Sequence, residues 1–246
     1  MRAQKVSGGS KLTIEEKVFR CRRFVFDRLE SSGFVKGPDG YVCSREFMNG
    51  DFEAVLSVKE NGEYSCRVMD GMNDEEYTQI NNENYDGAYV NTVRSSLEEL
   101  LEGIAKKCCR EVLFASDQGN RICEKIFEKY SVRPDFPWKD NKQERYHEAG
   151  VFRHHDNDKW FALMMNINTN AILHDGINTY ADVMNLKIDP SRYDEVHRIR
   201  NVFPAYHMNH KMWISVILNE VLSDEVVMSL IDMSYGMTKL RITHDN

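Results

Sequence analysis

Proline is scarce, at 5 in 246 residues, and no long polar tract accompanies it, which argues against extensive disorder. No apolar run approaches the roughly 20 residues that a membrane-crossing helix needs. The first residues carry Arg2 and Lys5 but no apolar segment, so no secretory leader is expected. There is no C-x-x-C pair and no zinc-like spacing among Cys21, Cys43, Cys66, Cys108, Cys109 and Cys123. Without a leader or a metal pattern, these read as reduced packing thiols of a cytoplasmic protein. A phosphate loop, a dinucleotide fingerprint, a nucleophile elbow and an H-E-x-x-H zinc helix are all missing. The expectation is therefore a protein that is not an enzyme and carries no cofactor.

What is present is an ordinary globular balance, 41% hydrophobic and 29% charged, with a net charge of −7. An acidic chain disfavours a simple electrostatic grip on nucleic acid. The charge is uneven: residues 1–119 hold 16 Lys+Arg against 21 Asp+Glu, and residues 120–246 hold 16 against 18. All eight histidines and all three tryptophans fall in the second half, whereas five of the six cysteines fall in the first. This shift predicts two domains, in a chain whose helix and strand patterns read as α+β: a flexible lead-in over 1–12, an N-terminal domain over 13–116 and a C-terminal domain over 117–246.

In the first domain, Thr13-x-x-Glu16 is a capping box, and Ile14, Val18, Cys21, Val25 and Leu29 follow at helical spacing up to Ser31-Ser32-Gly33. Turn signals at Gly37-Pro38-Asp39-Gly40, Asn49-Gly50 and Glu60-Asn61-Gly62 bound three antiparallel strands, Tyr41 to Phe47, Phe52 to Val58 and Tyr64 to Val68. A looser acidic stretch from Asp70 to Glu83 comes next. Ser96-x-x-Glu99 reads as a second capping box, with Leu97, Leu100, Leu101, Ile104, Ala105 and Cys108 on one helical face.

The second domain opens with a helix carrying Ile122, Ile126, Phe127 and Tyr130, broken by Pro134 and Pro137. Two hairpins are expected. One runs Val151 to His154, a His155–Asp158 turn, then Lys159 to Met165. The other runs Pro204 to Met208, a turn, then Met212 to Leu218. Between them lie a strand, Val183 to Ile188, and a short helix capped by Asp189 with Pro190 at its first position. A closing helix starts at Ser223, with Asp224 and Glu225 in its first turn and Val227, Leu230 and Ile231 facing inward.

Chemistry-bearing candidates are few. Asp156-Asn157-Asp158 lacks the glycine and closing Glu of a calcium loop and reads as a hairpin turn. His207 and His210, three apart on a strand, would point to opposite faces, so only a turn brings both to one metal ion. Cys108-Cys109 sits near a helix C-terminus, where the dipole disfavours a thiolate. The two hairpins share a pattern: a polar turn, a lysine, then a tryptophan, as Lys159-Trp160 and Lys211-Met212-Trp213, with Arg153, His154 and His207 on the incoming strands. The tryptophans read first as core anchors with solubilising lysines; the other reading is two wings offering cations and hydrogen-bond donors to a groove.

The second half resembles the MmcQ/YjbR family over roughly residues 119–240. The resemblance is carried by Glu128-Lys129-Tyr130, Phe136-Pro137-Trp138, Gly150-Val151-Phe152-Arg153-His154, Asn157, Lys159-Trp160-Phe161-Ala162, Asn185-Leu186-Lys187 and Ser234-Tyr235. Its most specific part is Phe203-Pro204-Ala205-Tyr206-His207-Met208-Asn209 followed by Trp213. Longer members look similar across residues 13–115 as well. The resemblance implies a frataxin/CyaY-like fold, two helices on one face of an antiparallel sheet, and bacterial DNA-binding proteins of double-wing type. One departure stands out: the family's lysine directly after the His-Met-Asn segment is His210 here, and Lys211 follows.

The function expected on these grounds is DNA binding through the two hairpins. Arg153, Lys159 and Lys211 would meet phosphates, and His154, His207, Asn209 and His210 would donate hydrogen bonds. The alternatives are a protein-interaction module whose acidic first domain engages a basic partner, or a metal or small-molecule binder on the frataxin-like sheet. No membrane partner is expected.

Overall fold

The apolar stripes of the two halves are buried in separate cores, one built from residues up to Cys108 and one from Phe114 onward. A computed structural model describes residues 12–82, 84–140 and 147–239 and divides the chain into two compact units, Met1–Val112 and Leu113–Asn246. Of the lead-in expected over 1–12, residues 1–11 lie outside the described residues, as does Glu83 at the end of the acidic stretch.

In the first unit the Thr13 capping box forms in both directions: the Glu16 N–H donates to Thr13 Oγ1 (3.3 Å) and the Thr13 N–H donates to Glu16 Oε2 (2.8 Å). The helix it starts, α1 (Ile14–Phe19), ends well short of the expected Leu29. The Arg22 guanidinium caps its C-terminal end by bonding Val18 O (2.8 Å) and pairs with the Glu102 carboxylate (2.9 and 3.0 Å). The chain then runs as β1 (Arg22–Phe24), antiparallel to β7 (Cys109–Glu111). Leu29 still reaches the core, but through a short 3-10 turn, so tertiary pairing overrides helical periodicity here.

Five antiparallel strands follow in sequence order: β2 (Val35–Gly37), β3 (Gly40–Phe47), β4 (Phe52–Val58), β5 (Tyr64–Asp70) and β6 (Glu75–Glu76). Alternation sets the faces: Phe52, Ala54, Leu56 and Val58 of β4 point inward. The long helix α2 (Ala88–Cys108) covers that face with Leu97, Leu101, Ile104, Ala105 and Cys108. It begins at Ala88, not at Ser96, which lies inside it. The loop before it is held by Arg94, whose guanidinium donates to the carbonyls of Gln79, Ile80, Asn82 and Tyr85. That clamp fixes the approach, so no side-chain cap is needed at Gly87.

The second unit holds α3 (Asp117–Tyr130), β8 (Gly150–Arg153), β9 (Trp160–Asn168), α4 (Asn170–Leu173), β10 (Tyr180–Lys187), α5 (Tyr193–Val196), β11 (Val202–Pro204), β12 (Trp213–Ile217) and α6 (Asp224–Thr238). The sheet order is β11-β12-β10-β9-β8, antiparallel throughout. Ile122 and Ile126 of α3 and Val227, Leu230 and Ile231 of α6 pack on one sheet face, against Ala162, Met164, Met184, Leu186, Ile214 and Val216. The N-terminus of α3 rests on Asp182, a fully buried carboxylate that accepts from the Ser116 N–H (2.6 Å) and hydroxyl (2.7 Å). An anion is favourable at a helix N-terminus, where free N–H groups and the dipole meet it. Gly119 leaves room for it, since a Cβ there would lie 3.0 Å from Asp182 Oδ2 and 2.8 Å from Ser116 Oγ. Among the described residues no helix is long and apolar enough to cross a membrane.

The second hairpin differs from the sequence expectation. Its incoming strand stops at Pro204, and Ala205 to Met212 form turns. Proline lacks the N–H that would continue the ladder, and His207 takes a left-handed backbone (φ +54°).

Gly40 closes the first unit's β2–β3 turn at φ +128°, and a Cβ there would lie 2.3 Å from Val58 O. Gly40→Ala is expected to destabilise the chain by about 1–3 kcal/mol or more, read by urea denaturation followed by far-UV circular dichroism. An unchanged midpoint would contradict this geometry.

Candidate functional site

Strand register decides where the two hairpin turns lie. Lys187 at the end of β10 pairs with Trp213 at the start of β12, and Leu186 pairs with Ala162 near the start of β9. Both turns therefore emerge at the same end of the sheet, with the end of β10 between them. The turns are also built alike. Asn157 Oδ1 accepts from the Lys159 N–H (2.9 Å), and Asn209 Oδ1 accepts from the Lys211 N–H (3.0 Å). Each is an Asx turn, in which an asparagine side chain replaces a backbone acceptor and fixes the residue two places on. The shift of lysine from the position after Asn209 to Lys211 thus matches the spacing of Asn157 and Lys159.

Neither turn stands free. The first is fastened to the C-terminal end of α6. Asn157 Nδ2 donates to Thr238 O (3.0 Å), one of the carbonyls that a helix end leaves unpaired. His154 is only 2% exposed, its ring tilted against Tyr235 and edge-on to Phe161, and its Nε2 lies 2.8 Å from Thr238 Oγ1. The Thr238 hydroxyl proton already goes to Ser234 O (2.8 Å), so the hydroxyl accepts and His154 carries its proton on Nε2. The reading of His154 as a ligand donor is therefore corrected: the aromatic cluster buries it and α6 uses its N–H. Ser234 completes this end, donating its hydroxyl to Phe161 O and accepting from the Lys187 N–H (2.8 Å), just beyond the last β9–β10 pair.

The second turn folds back over the sheet face away from the helices. There Asn185 and Ser215, both fully buried, form a closed hydrogen-bond ring with the Tyr206 peptide. The Tyr206 N–H donates to Ser215 Oγ (2.8 Å), the Ser215 hydroxyl donates to Asn185 Oδ1 (2.5 Å), and Asn185 Nδ2 donates to Tyr206 O (2.8 Å). Two side chains thus serve as a surrogate peptide, pinning the segment from Ala205 to Met208 where no strand pairs with it. Met208 then packs in the outer cluster of Ala149, Val151 and Leu163.

The remaining expected site residues lie around this end. Lys159, His207, Asn209, His210 and Lys211 are exposed. Arg153 is half-buried, paired with Asp135 (2.8 Å) and lying over the Trp160 ring at 5.1 Å. Among the described residues Lys159, Lys187 and Lys211 have no carboxylate within ion-pair distance, and no group of three His, Cys, Asp or Glu side chains is placed to hold a metal ion. The cysteines are free thiols; burial pushes Cys66 up to about 12 and Cys123 up to about 11, away from nucleophilic use. Sequence reasoning assigned no role to Asn185, Ser215 or Lys187. The available signal was polar Asn185 between apolar Met184 and Leu186 on a buried strand.

A family model described as YjbR matches residues 127–237, all within the second unit. A protein of Bacillus subtilis (strain 168), YyaQ, described as uncharacterized, is 34% identical over 118 residues, covering 48% of this chain and 95% of that protein. A crystal structure of a Pseudomonas syringae protein is 37% identical, covers 48% of this chain and 97% of its own, and superposes with a TM-score of 0.44. A solution NMR structure from Pseudomonas syringae is 34% identical, with 51% and 96% coverage and a TM-score of 0.45.

Burial is the leading cause that holds the His154 imidazole below its ordinary value, with Asp156 pulling the other way. As pH falls past about 6.5, the unfolded chain takes up this proton before the folded one does, so stability drops until the folded value is reached. The whole chain is therefore expected to lose melting temperature as pH falls through about 6.5, and His154→Gln is expected to lose less over the same fall. Parallel curves for the two proteins would show that His154 does not carry the effect.

Proposed function

Because this chain belongs to the YjbR family, we propose that its second unit is a non-catalytic binding module for nucleic acid, meeting DNA with one end of its sheet. The observation that carries the reading is the pair of matching Asn-x-Lys turns, which set Lys159 and Lys211 at the same sheet end, on either side of Lys187. Phosphate contacts of this kind position a nucleic acid without reading its sequence. The double-wing picture changes in one respect. Both turns are tied down, one to α6 and one across the sheet, so they form a fixed rim and do not insert as free ribbons. His207 and His210 stand on that rim as further donors, and Arg153 is available at the cost of its pairing with Asp135. The two helices on one sheet face are consistent with the frataxin/CyaY-like arrangement that the family resemblance implies.

The acidic turn residues Asp156 and Asp158 keep the attraction local and the affinity modest. Replacing Lys159 and Lys211 together by Ala is expected to weaken binding of a labelled duplex. It should also flatten the slope of log affinity against log salt by roughly 0.9 for each lost contact. Fluorescence anisotropy at several salt concentrations measures both. Unchanged affinity and slope would remove this interface.

A second reading concerns the first unit. Glu46 and Glu53 stand directly opposite each other on the open face of its sheet, and Glu76 follows in the same row beyond Met69. Like charges facing across strands are destabilising, by roughly 0.2–1 kcal/mol, and a basic partner would relieve them. This supports an acidic docking face for a basic protein. Glu46→Gln with Glu53→Gln is expected to stabilise the free chain slightly and to abolish binding of an oligolysine peptide in calorimetry. A wild-type chain that ignores the peptide would dismiss this reading.

A further inference from the structure

A β-bulge decides which way Trp160 faces. On β9 the register runs Phe152↔Ala162 and then Arg153↔Trp160, so Phe161 is an extra residue in that strand. Phe161 and Ala162 both turn to the helix-covered core. Strict alternation would send Trp160 to that core as well. The extra residue instead puts Trp160 on the outer face, where it packs with Val151 and Leu163 and meets Trp138 edge to face at 5.7 Å. Bulges commonly re-aim a side chain beside a functional site.

The consequence is a row across one end of the outer face: Trp213 on β12, Lys187 directly opposite it on β10, then Trp160 on β9 with Arg153 lying over its ring. Aromatic and cationic side chains alternate along it, one per strand, at roughly 4.8 Å per strand. All of these side chains are half-buried, so each holds its position and still shows a surface. Met208 closes the row's inner side with a side chain that adapts readily. Lys187 has no carboxylate partner among the described residues, and Lys159 and Lys211 stand on the adjoining turns.

Building on the nucleic-acid reading above, we propose that this row is a stacking platform for unpaired bases, so that the protein takes single-stranded nucleic acid in preference to duplex. A duplex keeps its base faces stacked inside and cannot offer them to an indole. A single strand offers both a π-face to Trp213 and Trp160 and a phosphate to Lys187 and the turn lysines. The occupant is fixed by this complementarity: planar and aromatic next to anionic, repeated along a strand.

All three tryptophans of the chain, Trp138, Trp160 and Trp213, belong to the second unit, and two of them form the row while the third packs on it. Intrinsic indole emission therefore reports on this platform. The experiment titrates the whole chain with labelled oligo-dT and oligo-U, an abasic strand of equal length and a duplex of equal length, reading label anisotropy and indole emission together. Single strands are expected to quench the emission saturably and to bind roughly tenfold or more tighter than the abasic strand. Trp213→Leu, checked for folding by circular dichroism, is expected to lose single-strand affinity roughly tenfold. If that variant does not fold, Lys187→Gln is expected to give a shallower salt slope with single strands. Equal binding of the abasic strand and oligo-dT without quenching, or tighter binding of the duplex, would overturn the platform while leaving the nucleic-acid reading in place. No anisotropy change with any strand would end both.

Discussion

The second unit depends on side chains that do the work of peptides. Its sheet runs out of backbone partners at two places, after Pro204 on one side and beyond the Leu186–Ala162 pair on the other. At the first, Asn185 and Ser215 close a ring with the Tyr206 peptide; at the second, the Ser234 hydroxyl bridges Phe161 O and the Lys187 N–H. A buried polar group left unpaired costs about 1–3 kcal/mol, so such groups are stable only when every member is satisfied. Here each ring member has its partner. That completeness lets a segment with no strand partner lie across a sheet, and it fastens the turns that strand register brings to one end.

The same economy explains what could be read from the sequence. The strands of the first unit's sheet were legible because turn signals such as Gly37-Pro38-Asp39-Gly40 bracket alternating runs, and the face of α2 was legible from its spacing. The extent of α1 was not, because Arg22 ends it through Val18 O and a carboxylate on another helix. The start of α2 was missed for a similar reason, since one arginine collecting four carbonyls leaves no local signature. In the second unit, α3, α6 and the first hairpin carry their caps and periodicity in the sequence. The second hairpin looked like a longer one because Ala205 to Met208 have strand-like composition, while their conformation is set by residues on other strands.

For the candidate site, residue types were legible and their environments were not. Lysine and histidine near a turn suggest ligand contact equally well whether they point to solvent or inward. Lys159, His207, His210 and Lys211 are exposed, but His154, one residue from exposed His155, belongs to the core and to α6. The family resemblance carried the right segments without the reason for them. Asn157, Asn209, Tyr206 and Ser234 recur in it as motif letters, and in the structure each is part of the scaffold that holds the rim.

The extra residue in β9 has a consequence for how such chains vary. A substitution at Phe161 changes what fills the core there, but a deletion of one residue would restore strict alternation and roll every side chain before it to the opposite face. The exposure of Trp160 is thus specified by a count and not by any residue's chemistry. Related chains that keep one extra residue between position 160 and Ala162 will keep position 160 on the outer face, whatever residue fills the bulge. A change in length there will hide it even if every letter survives.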